Sequence, residues 1–342
     1  MATFVCVLTT QVADARKAAP SGAAKVEHFI VGGVGGWDLL AFQSGRKQLF
    51  ISRSDRVQVF DSRSGKVIKE IPGTAGVHGI ALATDLGLGF TSNGQSNSVT
   101  VFELDSLSVI DEIKDTGEKP DAILYDPSTQ RVFTFNGRSH NVTVINAVTK
   151  NIITSIALSG KPELAVLDGK GNIFVNIEDK NSIAKINIAE STVTAEWPLI
   201  GCEAPTGLAI DAKHGRLFSV CDNHKMVVVD ASSGKTVSEV AIGDGPDGVV
   251  FDAKRALVVS SNGEGTLSVI HQASPDHYLP VATIPTQKGA RTIALDETTH
   301  QVYLVTSEFG PPLSATPEQP HPRAPQIAGT FSVLMVSIDG TN

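Results

Sequence analysis

Seven polar residues recur along this 342-residue chain at nearly even steps. They are Asp38, His78, Asp121, Glu163, Thr206, Asp247 and Arg291, separated by 40, 43, 42, 43, 41 and 44 residues. Gathered in one place, such carboxylates, an imidazole, a guanidinium and a hydroxyl can do several kinds of chemistry. Carboxylate oxygens suit hard cations such as Ca²⁺ or Mg²⁺, and an added imidazole extends the range to Zn²⁺ or Mn²⁺. His78, Asp121 and Glu163 are the expected metal-ligand set. A His–carboxylate pair can also move a proton as general acid or base. A ring of polar groups around a watery channel would equally arise, without catalysis, if this position simply belongs to a structural repeat.

Each of these residues opens a short apolar segment. PDAILYD, PELAVLD, PTGLAID and PDGVVFD share a Pro, one polar residue and an apolar run ending in Asp. WDLLAFQ, VHGIALA and ARTIALD are weaker copies. A repeat of this length with four short strands per unit marks a β-propeller, and seven copies mean seven blades. In the third unit, strand a is Asp121–Tyr125, b Val132–Phe135, c Val142–Asn146 and d Asn151–Ile156. Val, Ile, Phe and Thr fill these runs, and Asn, Gly, Asp and Ser break them. Alternating strand direction puts the start of a, the end of b and the d–a and b–c loops on one face. The innermost strand is a, so the seven polar residues should surround the mouth of the central channel. His140 and His224 lie in b–c loops of that face and extend the candidate site. They share a repeat position with Asn97 and Asn181.

The last unit lacks its fourth strand. KVEHFIVGG, from Lys25, resembles the d strands of other units, so residues 25–31 should complete the last blade and close the ring. One domain over 25–338 follows. The b–c loop of that blade, 307–329, carries Pro311, Pro312, Pro317, Pro320, Pro322 and Pro325. A loop this long is a lid over the mouth or a solvent-exposed flap. Residues 1–15 read as a signal peptide, possessing an apolar run and a small-x-small site at Ala13–Ala15 but no basic start, as if begun upstream. Residues 16–24 read as an arm. Export to the periplasm or medium is the expectation.

Cys202 and Cys221 fall on one face of blade five. In an oxidising compartment they form a disulfide or remain two thiols, and a thiolate metal site with Asp222 or His224 is a third reading. His214 and His300, in a–b turns, read as solvated. His271 and His277 flank an irregular connection in blade six, and His28 lies on the closing strand. The net charge of −8 argues against a broad phosphate-binding surface, so nucleic acid is not an expected partner. No apolar run is long enough to span a bilayer. P-loop, GxSxG, HExxH and paired CxxC motifs are absent, and Gly32–Gly36 opens a blade, not a helix.

PDGVVFD, the strands VTVFE and VTVIN, and the recurring Ser-Asn-Gly at 92–94 and 261–263 resemble the YVTN-repeat, YncE-like seven-bladed propellers of bacteria. VYLVTS, Val302–Ser307, is the nearest copy of the tetrapeptide. The resemblance implies an exported all-β propeller. Some members are linked to single-stranded DNA binding, and related propellers include lactonases and lyases. The leading expectation is an exported monomer, not an enzyme, that binds a small molecule, peptide or envelope partner at the channel mouth. A metal-assisted hydrolase, lactonase or lyase using the same ring is the alternative, and DNA binding a third.

Overall fold

The computed structural model describes residues 24–312 and 324–338. The expected leader, nearly all of the arm, and the centre of the Pro-rich loop with Pro317, Pro320 and Pro322 lie outside them.

The described residues form seven four-stranded antiparallel sheets arranged as the blades of a propeller. The innermost strands are Leu40–Gln43, Val77–Ala83, Pro120–Asp126, Pro162–Leu167, Pro205–Asp211, Pro246–Asp252 and Ile293–Asp296. Blade three runs Pro120–Asp126, Arg131–Asn136, Asn141–Asn146 and Ile152–Ala157, each within a residue or two of its expected span. The ring closes as the sequence indicates. Ala24–Ile30 pairs antiparallel with Ser332–Ile338, so both parts of the chain share blade seven.

The strand sequences explain the layering. Strands b and c are buried on both faces between neighbouring blades and read as continuous apolar runs. Phe50, Phe90, Phe133, Phe174 and Phe218 take the same place in successive b strands and are at most 1% exposed. Truncating such a ring to Ala costs about 3–5 kcal/mol. The Asp that ends strand a caps the following turn: Asp126, Asp211 and Asp252 each accept backbone N–H groups two or three residues on.

Two histidines expected to be solvated are held by these aspartates. His214 Nδ1 lies 2.6 Å from Asp211 Oδ2, and His300 Nδ1 lies 2.7 Å from Asp252 Oδ2 of the preceding blade. The connection expected to be irregular in blade six is a hairpin of Thr266–Ser274 and His277–Pro285 whose register shifts at Val269/Ile270 and again at Gln272/Ser274, beside the turn. Its Gln272 donates to Asp211, latching blade six onto blade five.

The recurring polar position coincides with a structural event. In blades two to six the a–b register shifts just after the first residue of strand a. Such a bulge frees one residue from the ladder and re-aims its side chain. His78, Asp121, Glu163, Thr206 and Asp247 are those residues. The next position is glycine in blades two, five and six, where space is short: a Cβ on Gly207 would lie 2.9 Å from Asp247 O.

Candidate functional site

Hydrogen bonds from the preceding blade hold the ring residues in place. Ser52 Oγ donates to His78 O at 2.6 Å, Ser92 Oγ to Asp121 O, Asn176 Nδ2 to Thr206 O at 3.1 Å, and Ser261 Oγ to Arg291 O. All four donors are buried. Sequence reasoning used the Ser-Asn-Gly repeat as a family signature and missed this role. The Asn staples the b–c hairpin: Asn93 Nδ2 donates to Thr100 Oγ1 at 2.8 Å, and Asn262 Nδ2 to Ser268 Oγ at 3.0 Å. The Gly makes room. A Cβ on Gly94 would sit 2.8 Å from both Cδ2 and Nε2 of His78.

The seven residues do not act as one ring. Asp38, His78 and Asp121 form a cluster in which one ligand atom from each lies within 4.8 Å of the others. His78 Nδ1 is 2.5 Å from Asp38 Oδ2 and 3.7 Å from Asp121 Oδ1. All three side chains are half-buried. Glu163 does not join them, contrary to the expected ligand set. Lys161, two residues earlier, takes it at 2.6 Å and also pairs with Glu178. Asp247 faces Arg291 at 3.3 Å, and Thr206 Oγ1 donates to Pro246 O at 3.1 Å.

His140 and His224 also stand apart. Both occupy left-handed backbone, φ 49° and 61°, as do Asn97 and Asn181 at the same repeat position. Asn and His tolerate this conformation better than most residues. The turn, not a ligand, explains the residue type. His140 is exposed, and His224 approaches only the exposed Asp244, at 3.3 Å.

Electrostatics mark the mouth as costly. Burial pushes the Asp247 carboxyl up to about 6, because Arg291 only partly offsets the lost hydration. Glu163 is raised by burial against the opposing pull of Lys161. Burial also raises Asp121, with His78 opposing. For His78 burial disfavours the cation, but the Asp38 hydrogen bond and the charges of Asp121 and Asp38 prevail and raise it.

A cleft of about 720 Å³ opens over the Asp38–His78–Asp121 side of the mouth. Asp38 and His78 lie at its floor, and Trp37, Gln95, Lys119 and Arg138 stand around them. Between the inner strands lies a second cavity of about 190 Å³, lined by Leu40, Ile80, Leu124, Leu164, Val249 and Ile293 among others. The polar groups therefore form the floor of a surface cleft, closed below by apolar side chains.

Trp37 connects the cleft to the Pro-rich loop. Its ring is 6.2 Å from Phe309 and 5.4 Å from Phe331. The legs of the loop are zipped by Gly310 N to Pro325 O, 2.8 Å, and Ile327 N to Glu308 O, 2.9 Å. On the opposite side of the mouth, Cys202 and Cys221 are joined as a disulfide with Cα atoms 5.3 Å apart. No helix among the described residues is long and apolar enough to cross a membrane.

Neither a protein-family model nor a curated protein matches the chain. Among solved structures it is similar to hydrazine synthase of Kuenenia stuttgartiensis, at 19% identity and a TM-score of 0.67. The match covers 80% of this chain and 94% of that one. Likeness at this identity speaks to the fold alone.

Proposed function

We propose that this chain is an exported, YncE-like propeller that binds a small molecule in the cleft over blades one to three. The observation that carries the reading is the cleft itself: about 720 Å³, with Asp38 and His78 at its floor and the channel beneath it apolar. Ligand sites in compact proteins are concave spaces of this size with a few convergent polar groups. The disulfide supports an oxidising compartment, and the recurring Pro-polar strands support the family. Differential scanning fluorimetry against anionic, cationic and neutral small molecules tests the reading. A ligand that raises Tm in the native protein, and fails in Gln95→Trp, supports it. The reading falls if no member of any class binds, or if every binder ignores the filled cleft.

A second reading is a metal-assisted hydrolase or lyase. One observation favours it: Asp38, His78 and Asp121 offer three ligand atoms within 4.8 Å. An ion seated there would replace the proton that His78 Nδ1 shares with Asp38, so loading would release protons. Elemental analysis of protein purified without chelators or a His-tag tests it. Stoichiometric metal that is lost in His78→Ala supports this reading, and metal-free protein rejects it.

A further inference from the structure

Resting on the small-molecule reading, we infer that the ligand is an anion, carrying a carboxylate or phosphate group that Lys119 and Arg138 hold at the blade-three wall. Several other cations on this face are committed, while Arg53 is buried over Phe331 and Lys288 has no ion pair among the described residues. Lys161 pairs with Glu163 and Glu178, Lys225 with Glu239, and Arg291 with Asp247. Arg56 pairs with Asp55 and Glu70. The side chains of Lys119 and Arg138 line the cleft and have no ion-pair partner among the described residues. Glu118 stands at the same rim, so the wall keeps a single positive charge. Asp38 and Asp121 are both directed at His78 Nδ1.

The backbone fixes this wall. Two neighbouring loops are zipped by Gly137 N to Lys119 O, 2.9 Å, and Arg138 N to Glu118 O, 3.2 Å. Lys119 N donates to Asn97 Oδ1 at 2.9 Å. The two cations therefore project from one braced unit, as a clamp for a single anionic group requires.

Residue choice at Lys119 shows that glycine is available as a replacement. This position, just before strand a, has left-handed backbone in blade three, φ 53°. The equivalent places in blades two, six and seven are Gly76, Gly245 and Gly289, with φ 68°, 63° and 82°, and in blade five Ala204, with φ 44°. Glycine suits that conformation and a lysine resists it. Lys119 therefore bears a backbone cost that three of the repeats avoid with glycine and that Ala204 bears without a charge. His78 lines the same cleft. Its Nδ1 is taken by Asp38, its ring lies against Gly94, and its Nε2 has no hydrogen-bond partner among the described residues.

Calorimetry on the full chain tests the inference, with inorganic phosphate, succinate and neutral xylitol as probes at matched, low ionic strength. Binding of phosphate or succinate should weaken about tenfold or more in Lys119→Gly and in Arg138→Gln, and fade as salt rises. Lys119→Gly should keep or raise Tm, since glycine relieves the backbone, which separates lost binding from lost fold. Phosphate binding without succinate, or the reverse, identifies which anion the clamp fits. Binding of both probes unaltered by either substitution overturns the inference. Occupancy of the cleft by xylitol alone overturns it too, while leaving the small-molecule reading in place. Silence from all three probes overturns the anion clamp, and the broader panel then decides the cleft's role.

Discussion

Replacing Asp247 with Asn should make the protein more stable at neutral pH. The Asp247 side chain is 17% exposed, and its nearest cation, Arg291 at 3.3 Å, is itself 46% exposed. Burial lifts its pKa to about 6. Unfolded Asp titrates near 4, and each unit of difference is about 1.4 kcal/mol. Below pH ~4 both states hold the proton, and the group contributes no penalty. Between about 4 and 6 the unfolded chain has released it while the native protein retains it. Stability therefore falls across that window as pH rises, and the loss reaches about 3 kcal/mol above it. An amide of the same shape carries no such burden, and the attraction of Arg291 is already included in the value of about 6. The expected gain for Asp247→Asn is about 3 kcal/mol at pH 8 and nothing at pH 4. Reversible urea unfolding of both proteins from pH 4 to 8 measures it. A variant less stable at pH 8, or a gain equal at both ends, would refute the electrostatic argument. A gain confined to high pH would identify Asp247 as a charge kept against stability, as functional sites often are.

Three further outcomes follow from the architecture. Ser92→Val leaves Gly79 N–H and Asp121 C=O without their buried partner and should cost about 1–3 kcal/mol, read by urea unfolding. The double change Cys202→Ser, Cys221→Ser opens a loop of 19 residues and should cost about 3 kcal/mol relative to oxidised protein. The same substitution compared with reduced protein should change little, which separates the crosslink from packing. Deleting residues through Ile30 strips the outer strand from Ser332–Ile338 and exposes its edge, so size-exclusion chromatography should show aggregate. A monomeric truncation with native Tm would refute closure by that strand.

The blades were legible because a repeat writes the same strand seven times, and each copy supports the others. The ring positions were legible for the same reason: Pro followed by one polar residue recurs wherever strand a begins. Which members meet was not, because that depends on reach and on neighbours. Glu163 leaves the cluster because Lys161 stands two residues away, a signal present in the sequence but not weighed. Asp38 joins His78 across a blade boundary, which repeat alignment alone cannot reveal. His140 and His224 looked like ligands, yet they answer a backbone demand visible only in φ. His214 and His300 looked idle and instead bind the aspartates of the a–b turns. The apolar channel was written in Ile80, Leu164 and Val249, whose alternation with the buried faces went unread.

Closure through Ala24–Ile30 also sets an order in time. That strand finds its partner, Ser332–Ile338, about three hundred residues later. At translation rates of about 5–20 residues per second, its edge waits on the order of half a minute before any partner exists. The intervening blades can each form from local hairpins, whereas the seventh needs both distant parts of the chain. Ring completion should then be the slowest, most concentration-sensitive step of refolding, and the unfinished ring the species that seeks the same strand in a neighbouring molecule.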